Sequence, residues 1–325
     1  MNGPAQLIKF IDRITSIVYT YRMPYRPTVR QLEYLVMLGE TGHFGEAAAR
    51  CHVSQPTLSV QVALLEKQLG CALIDRTPGL IAPTPAGAAI IASAKTVLNT
   101  LDDVVSMASA SRNNLGGLIR LGVVPTFGPY FLPHLLPLLH STYPDLKLHI
   151  REERPLTLEQ QVLEGSLDCG IGPEPTGGDA FAFEPICTEE IFLGVPRNHR
   201  LAQFQSVGIS SLIRERLLTL GRGHRLLDNV RDLARVSGAQ LVDDYEGTSL
   251  DALRQMVSIE MGLSLFPELY VRSEFPGEQN VRLLRIEDWP GSRTIGFFWR
   301  RQSVRRDHYH RLASLGETVA KDLLG

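Results

Sequence analysis

Apolar residues in the first third of the chain recur at helical spacing. Leu32, Leu35, Val36 and Leu38 lie within a stretch running from Thr28 to Glu40, and Thr41-Gly42 supplies a stop. Phe44 to Cys51 is short and alanine-rich, which predicts a helix that a second helix can approach closely. His52-Val53 makes a turn, Ser54 is placed as an N-cap, and Pro56 falls in a first helical turn where its missing N–H costs little. From Gln55 to Leu69, Leu58, Val62, Leu65 and Leu69 fall on one stripe; Pro56, Ser59, Val60, Ala63 and Lys67 occupy the opposite face, with Gln55 at its N-terminal edge. Leu73 to Gly87 reads as a short hairpin around a Pro78-Gly79 turn, with Arg76 at its base. From Pro85 to about Arg112 the chain is helix-compatible. Ile90, Ala94, Val97, Leu101, Val104 and Ala108 follow alternating spacings of four and three, the seam of a paired helix or the face of a helix packed on its own domain. Asn113-Asn-Leu-Gly-Gly117 is the expected hinge.

Beyond it the pattern changes. Leu118 to Val124 predicts a strand, and Pro125-Thr126-Phe127-Gly128-Pro129 turns into a leucine-rich helix reaching about Leu139. Strand, small polar turn and helix open an α/β unit whose ligands bind at the carboxyl ends of strands, beside helix N-termini that favour anions. Leu146–Glu152 predicts a strand, Leu156–Leu163 a helix, and Leu167–Gly172 a third strand. A second subdomain is expected to begin with a strand at Ile191–Val195. It continues through Leu217–Leu220, a helix from about Leu226, a helix over Ser249–Met261 and a strand at Leu263–Phe266; Thr294–Trp299 then returns to the first subdomain.

Composition narrows the class. With 325 residues, 44% hydrophobic and 21% charged, the chain is an ordinary globular protein of two or three domains. A formal net charge of −2 shows no basic excess, so any DNA interface rests on motif and local geometry. The cysteines Cys51, Cys71, Cys169 and Cys187 are scattered, without Cys-x-x-Cys or metal spacing. Neither a disulfide framework nor a metal is expected, and a reducing cytoplasm fits. No apolar run approaches the ~20 residues of a membrane span. No catalytic triad, phosphate loop or carboxylate pair stands out, so no catalytic residue, cofactor or enzymatic activity is expected. Residues 1–27 read as an extension, either an amphipathic segment or untranslated sequence before a start at Met23.

The first turns of the Gln55–Leu69 helix suit a major groove: Gln55 for an adenine edge, Pro56 and Thr57 beside it, Ser59 for a base or phosphate, Lys67 beyond, and Arg76 for a phosphate. An amphipathic helix pair of any α-helical domain is the competing reading. The run Ala47-Ala-Ala-Arg-Cys-His-Val-Ser-Gln-Pro-Thr-Leu-Ser-Val-Gln-Val-Ala-Leu-Leu-Glu-Lys-Gln-Leu-Gly70, followed by Leu73-Ile-Asp-Arg-Thr77 and Thr84-Pro-Ala-Gly87, resembles the signature of LysR-type transcriptional regulators. Val60 departs from it where many members carry arginine. The resemblance implies a multi-domain α+β and α/β fold. A winged helix-turn-helix would occupy 28–87, a dimerisation linker helix 88–115, and a two-lobed effector domain like a periplasmic binding protein 116–325, with lobe I at about 116–188 and 293–325 and lobe II at about 189–292. It also implies double-stranded promoter DNA as a partner, a small-molecule effector, and a dimer or tetramer paired through the linker helix.

Within the family, Val123 to Pro137, Leu167-Asp-Cys169, Gly223-His224, Gly247 to Arg254 and Gly262 to Pro267 resemble the OxyR subgroup of peroxide sensors. There the resemblance sets a redox cysteine against Arg225 and a second against Ala234, so the disulfide of that subgroup has no sulfur here. Pro125, Thr126, His224, Arg225 and Thr248 are the expected effector contacts, and the charge of Arg225 predicts a small anion. Two alternatives stand beside this: a regulator sensing oxidant through Cys169 or Cys187, and a solute-binding or enzymatic domain carrying an accessory DNA-binding domain. Cys169 reads either as a redox thiol or as a buried structural one.

Overall fold

The computed structural model describes residues 26–77, 81–109, 115, 117–242 and 244–325. The expected Pro78-Gly79 turn, Asn113, Asn114 and Gly116 of the hinge, residues 1–25 of the extension and the side chain of Ala108 lie outside the described residues. The chain divides into two compact units, residues 1–98 and 99–325.

In the first unit, helix α1 (Val29–Thr41) opens on a capping box. Thr28 Oγ1 accepts the Gln31 N–H, the Gln31 side chain accepts the Thr28 N–H, and Gly42 closes the helix in the left-handed region at φ 61°. Helix α2 (Phe44–Arg50) is capped by His43, whose Nδ1 accepts the Glu46 N–H. The turn passes through His52 at φ 55°, and α3 (Gln55–Leu69) starts where Ser54 Oγ accepts the Thr57 N–H. A two-residue ladder follows, β1 (Ile74–Asp75) antiparallel to β2 (Ala82–Pro83), and then α4 (Pro85–Ser109). Leu35, Leu38, Leu58, Val62 and Leu65 are buried together with Ile91 and Ala94 of α4. Gly39 permits the close approach of α1 and α4, since a Cβ there would lie 2.6 Å from Ile91 Cδ1.

This packing corrects the expected seam. Ala94 is 2% exposed and Ile90 is partly buried on the same core, so these positions serve their own unit. The free stripe starts at Val97, with Val97 47%, Leu101 38% and Val104 58% exposed.

The second unit comprises β3 (Gly117–Val123), α5 (Gly128–Thr142), β4 (Leu146–Glu152), α6 (Pro155–Glu164), β5 (Cys169–Pro173), β6 (Phe181–Pro196), β7 (Ser206–Val207), β8 (Arg216–Leu217), α7 (Arg225–Ser237), β9 (Gln240–Leu241), α8 (Leu250–Ser258), β10 (Ser264–Pro267), α9 (Glu268–Glu274), β11 (Val281–Ile286), β12 (Ser292–Arg300) and α10 (Arg306–Leu324). The eight-stranded sheet runs β4-β3-β5-β12-β6-β11-β7, with β10 also on β6. β3 is parallel to β4 and β5, while β12 is antiparallel to β5 and β6. Two apolar cores divide it. Val123, Phe131, Ile171, Phe297 and Trp299 belong to the first; Leu193, Leu217, Val230, Leu253 and Phe266 belong to the second.

The strand expected at Ile191–Val195 is the second half of a longer one. β6 starts at Phe181 and is shared by both cores, with a bulge against β12 at Ile295/Gly296. Its first half mixes Glu184, Pro185 and Glu189-Glu190 with apolar residues, which hides the alternation. Five further elements, β7, β9, α9, β11 and α10, lie outside the sequence expectations.

Candidate DNA-binding helix and effector cavity

The start of α3 is presented rather than packed. Gln55, Pro56, Thr57 and Lys67 are exposed, Ser59 is half-buried and Val60 is 64% exposed, whereas Leu58, Val62 and Leu65 are fully buried behind them. The Thr57 hydroxyl lies 2.8 Å from Ser54 Oγ, so it also completes the cap. Lys67 carries no ion pair among the described residues. Arg76 differs from the expectation of a free phosphate contact: its Nη2 donates to Glu66 Oε2 at 2.8 Å, and its guanidinium sits 5.6 Å from the centroid of the Phe44 ring. Glu66 Oε1 accepts the N–H groups of Leu73 and Ile74, so one glutamate ties β1 to α3 and engages Arg76.

In the second unit a cavity of about 370 Å³ is lined by Pro125, Thr126 and Tyr130 from the β3–α5 turn, Glu152 at the end of β4, Leu220, His224 at the N-cap of α7, Thr248 to Asp251 at the start of α8, and Glu274 of α9. The turn brings its residues there because β3 ends between β4 and β5, at the carboxyl edge of the parallel strands. Pro125, Thr126, His224 and Thr248 therefore share one cavity.

Arg225 does not line it. It stands at the start of α7 with its Nη2 3.5 Å from Glu159 Oε1 and 3.5 Å from the Glu174 carbonyl oxygen, and its buried Nε has no partner among the described residues. The other oxygen of Glu159 accepts the N–H and hydroxyl of Thr176, which fixes that carboxylate beside Arg225. Nearby, Arg154 Nη1 donates to the Arg222 carbonyl at 3.0 Å, a second tie to the region where α7 begins.

Thr126 is held by a residue outside the sequence expectations. Arg293 of β12 donates from Nη1 to Thr126 Oγ1 (2.8 Å), from Nη2 to the Thr126 carbonyl (2.9 Å), and from Nε to Glu189 Oε1 (2.7 Å). The Glu189 side chain is 0% exposed, and its second oxygen accepts the Leu269 N–H of α9 at 2.8 Å. Arg293 and Glu189 are directly paired across β12 and β6, so this buried ion pair joins the shared strands, the Thr126 turn and α9. In the sequence Arg293 and Glu189 are charges among other polar residues of their strands, and their pairing across 104 residues is not legible there.

Electrostatics separate the cavity from the cysteines. His224 is 7% exposed, and burial, aided by the charge of Arg154, pulls its pKa below 6.5 and favours the neutral ring. Burial pushes the Tyr130 hydroxyl up, and the carboxylates of Asp251, Glu274 and Glu152 add to that. Cys169 is fully buried and its thiol is pushed far up by burial, with Asp168 adding to the effect. Burial pushes Cys187 up to about 12, with Glu189 contributing. Neither thiol is a ready thiolate. Among the described residues no group of histidines, cysteines and carboxylates could hold a metal ion. No described helix is long and apolar enough to cross a membrane.

Comparison with known proteins agrees with this layout. The model of the bacterial regulatory helix-turn-helix protein, lysR family, matches residues 29–88, and that of the LysR substrate binding domain matches 112–317. The DNA-binding transcriptional dual regulator OxyR of Escherichia coli is 38% identical over 285 residues, covering 88% of this chain and 93% of that protein. A hydrogen peroxide-inducible genes activator of Haemophilus influenzae is 36% identical over 296 residues, covering 91% and 98%. Among solved structures, full-length OxyR of Pseudomonas aeruginosa, as a cysteine-to-aspartate variant, superposes with a TM-score of 0.75 at 31% identity, covering 90% of this chain and 95% of that one. Full-length CbnR in complex with its target DNA shares the fold at a TM-score of 0.65 and 21% identity, covering 89% and 99%.

Proposed function

This chain belongs to the LysR family of bacterial transcriptional regulators, and from that premise we propose how its parts divide the work. The first turns of α3 enter the major groove of promoter DNA. There Gln55 reads an adenine edge, Ser59, Pro56 and Thr57 contact bases or backbone, and Lys67 meets a phosphate. Two copies pair through the free stripe Val97, Leu101 and Val104 of α4, matching a two-fold operator, and the protein works in the cytoplasm. The effector is a small polar molecule in the cavity at Pro125, Thr126, His224 and Thr248. It acts by binding one arrangement of the dimer more tightly than another. The observation that carries this reading is the cavity itself, which opens at strand carboxyl ends and at the starts of α5, α7 and α8, with Thr126 locked in place by Arg293.

Arg225 and Ala234 stand in place of the redox cysteines of the OxyR subgroup, so peroxide is not read by a disulfide there. The expected anionic effector rested on Arg225 near the cavity and on the helix N-terminus at the Thr126 turn, and the pairing of Arg225 with Glu159 removes the first of these supports. A second reading, oxidant sensing through Cys169 or Cys187, is favoured by the similarity to hydrogen peroxide-inducible genes activators. Thiol labelling before and after peroxide decides it: Cys169 is buried and Cys187 half-buried with its thiol pushed up to about 12, so unchanged labelling is expected.

Footprinting of the full chain tests the DNA contacts. Gln55→Ala is expected to cost about 1–3 kcal/mol at preferred sites and to relax their sequence preference. Lys67→Ala is expected to weaken all sequences alike and to lower the salt slope by about one unit. Equal losses on every sequence with equal salt slopes would overturn the assignment.

A further inference from the structure

The cavity is rich in hydrogen-bond acceptors and poor in cations. Its lining holds three carboxylates, Glu152, Asp251 and Glu274, and neither lysine nor arginine. Only Asp251 has compensation, because its Oδ1 accepts from the Tyr270 hydroxyl at 3.0 Å and lies 3.5 Å from Arg254 Nη2. Arg254 is itself committed to Glu278, at 2.5 Å. Glu152 and Glu274 have no cationic partner among the described residues.

A second observation is independent of the carboxylates. The His224 ring is more than nine-tenths buried and lines the cavity, and it has no hydrogen-bond partner among the described residues. A neutral imidazole offers one acceptor nitrogen, and the ring nitrogens of His224 are open to the cavity rather than sealed in the interior, where a ligand can bond them. Thr126, equally buried, accepts from Arg293 and keeps its own hydroxyl proton to donate. Burial also orders the cavity by depth: Thr126 and His224 form the floor, and the exposed Glu152, Asp251 and Glu274 form the mouth.

Helix N-termini weigh on the other side, since α5, α7 and α8 all start at this cavity and favour negative charge. α8 is already answered by its own Asp251 and by the Ser249 cap on the Ala252 N–H. α5 and α7 carry no side-chain cap and stand at the floor. There they suit an oxygen-bearing group rather than compete with the mouth.

Resting on the reading of this cavity as the effector site, we propose that the effector is a small organic amine whose protonated nitrogen sits among Glu152, Asp251 and Glu274. A primary ammonium has three donors and no acceptor, the complement of this mouth. The apolar walls of Pro125, Pro129 and Leu220 take its carbon chain.

Calorimetry on the full chain tests this with butylamine, phenethylamine and phenylalanine against the matching amine-free acids, butyrate and phenylpropionate. Binding is expected for probes carrying the ammonium and not for the acids. The Glu152→Gln/Glu274→Gln pair is expected to weaken that binding about tenfold while leaving the unfolding of the free protein unchanged. Failure of every amine to bind, or amine binding that the double variant leaves intact, would overturn the proposal. Binding of the acids alone, lost in Thr126→Val, would also overturn the amine but keep the effector cavity.

Discussion

Arg293 and Arg225 are both paired within the second unit, one to the cavity residue Thr126 and one away from the cavity, and they are held in opposite ways. Arg293 is buried on the shared strands with donors spent on Glu189 and on both oxygens of Thr126, at 2.7 to 2.9 Å. Arg225 is about a third exposed, meets Glu159 and the Glu174 carbonyl at 3.5 Å, and leaves its buried Nε unpaired. A buried ion pair with its lone pairs and protons satisfied fixes geometry, and removing one partner strands the other charge. A long, partly hydrated pair holds little. The contrast sets the tightly bonded Thr126 turn against the start of α7, where Arg225 meets Glu159 only at 3.5 Å and Arg154 bonds the Arg222 carbonyl. Helix α4 repeats it: Ala94 is locked into its own core, and Val97, Leu101 and Val104 are exposed.

The comparison breaks most readily at Arg293. Arg293→Met leaves Glu189 buried and unpaired and is expected to cost about 3–5 kcal/mol. Both tryptophans, Trp289 and Trp299, lie in this unit, so their fluorescence during denaturant unfolding reports it selectively. Pairing the change with Glu189→Gln should recover part of the loss; a cost for the single variant no larger than a surface substitution would show that the pair does not hold the turn.

Next in size is the free stripe of α4. Leu101→Lys places a charge in the proposed seam and is expected to weaken the dimer by about tenfold or more, read by sedimentation across concentration. An unchanged oligomer would place the interface elsewhere.

Arg225→Ala should matter least among the arginine changes. After allowance for solvent screening its loss is expected within about 1 kcal/mol. Amine binding should stay within a factor of a few, because Arg225 does not line the cavity. A large loss of affinity would show that it turns inward when the cavity is filled.

The smallest effect concerns pH. Burial and Arg154 pull the pKa of His224 below its ordinary 6.5, so folding favours the neutral ring. Stability from this group is fully present above about 6.5 and is lost as the pH falls through the lower folded value. Glu152, Asp251 and Glu274 share the cavity, and His308, with its pKa also lowered by burial, titrates in the same direction. His224→Gln should flatten part of the acid-side decline in the melting temperature; an unchanged profile would assign that decline to His308 or to the carboxylates.

Local signals were enough for the first unit. Thr28, Ser54, Gly42 and Gly70 mark helix ends by chemistry confined to one turn, and the Leu58–Val62–Leu65 stripe names its own buried face. The β3 turn was legible in the same way, because a polar Pro-Thr break between a strand and a leucine-rich helix is a local event. The α10 helix was also within reach. Tyr309, Leu312, Ala313, Gly316, Val319 and Ala320 recur at helical spacing, but the many charges between them lower the apolar signal. The sequence by itself thus determined the helices of the first unit with the Ser54 cap, the exposed start of α3, and the placement of Thr126 at a strand end. Only the tertiary structure decided that Arg293 serves Thr126, that Arg225 answers Glu159, that Ala94 is core, and that three carboxylates share the cavity mouth. Those outcomes depend on register between strands and lobes far apart in the chain. A side chain's partner there is set by which backbone lies opposite, and local propensity does not encode that.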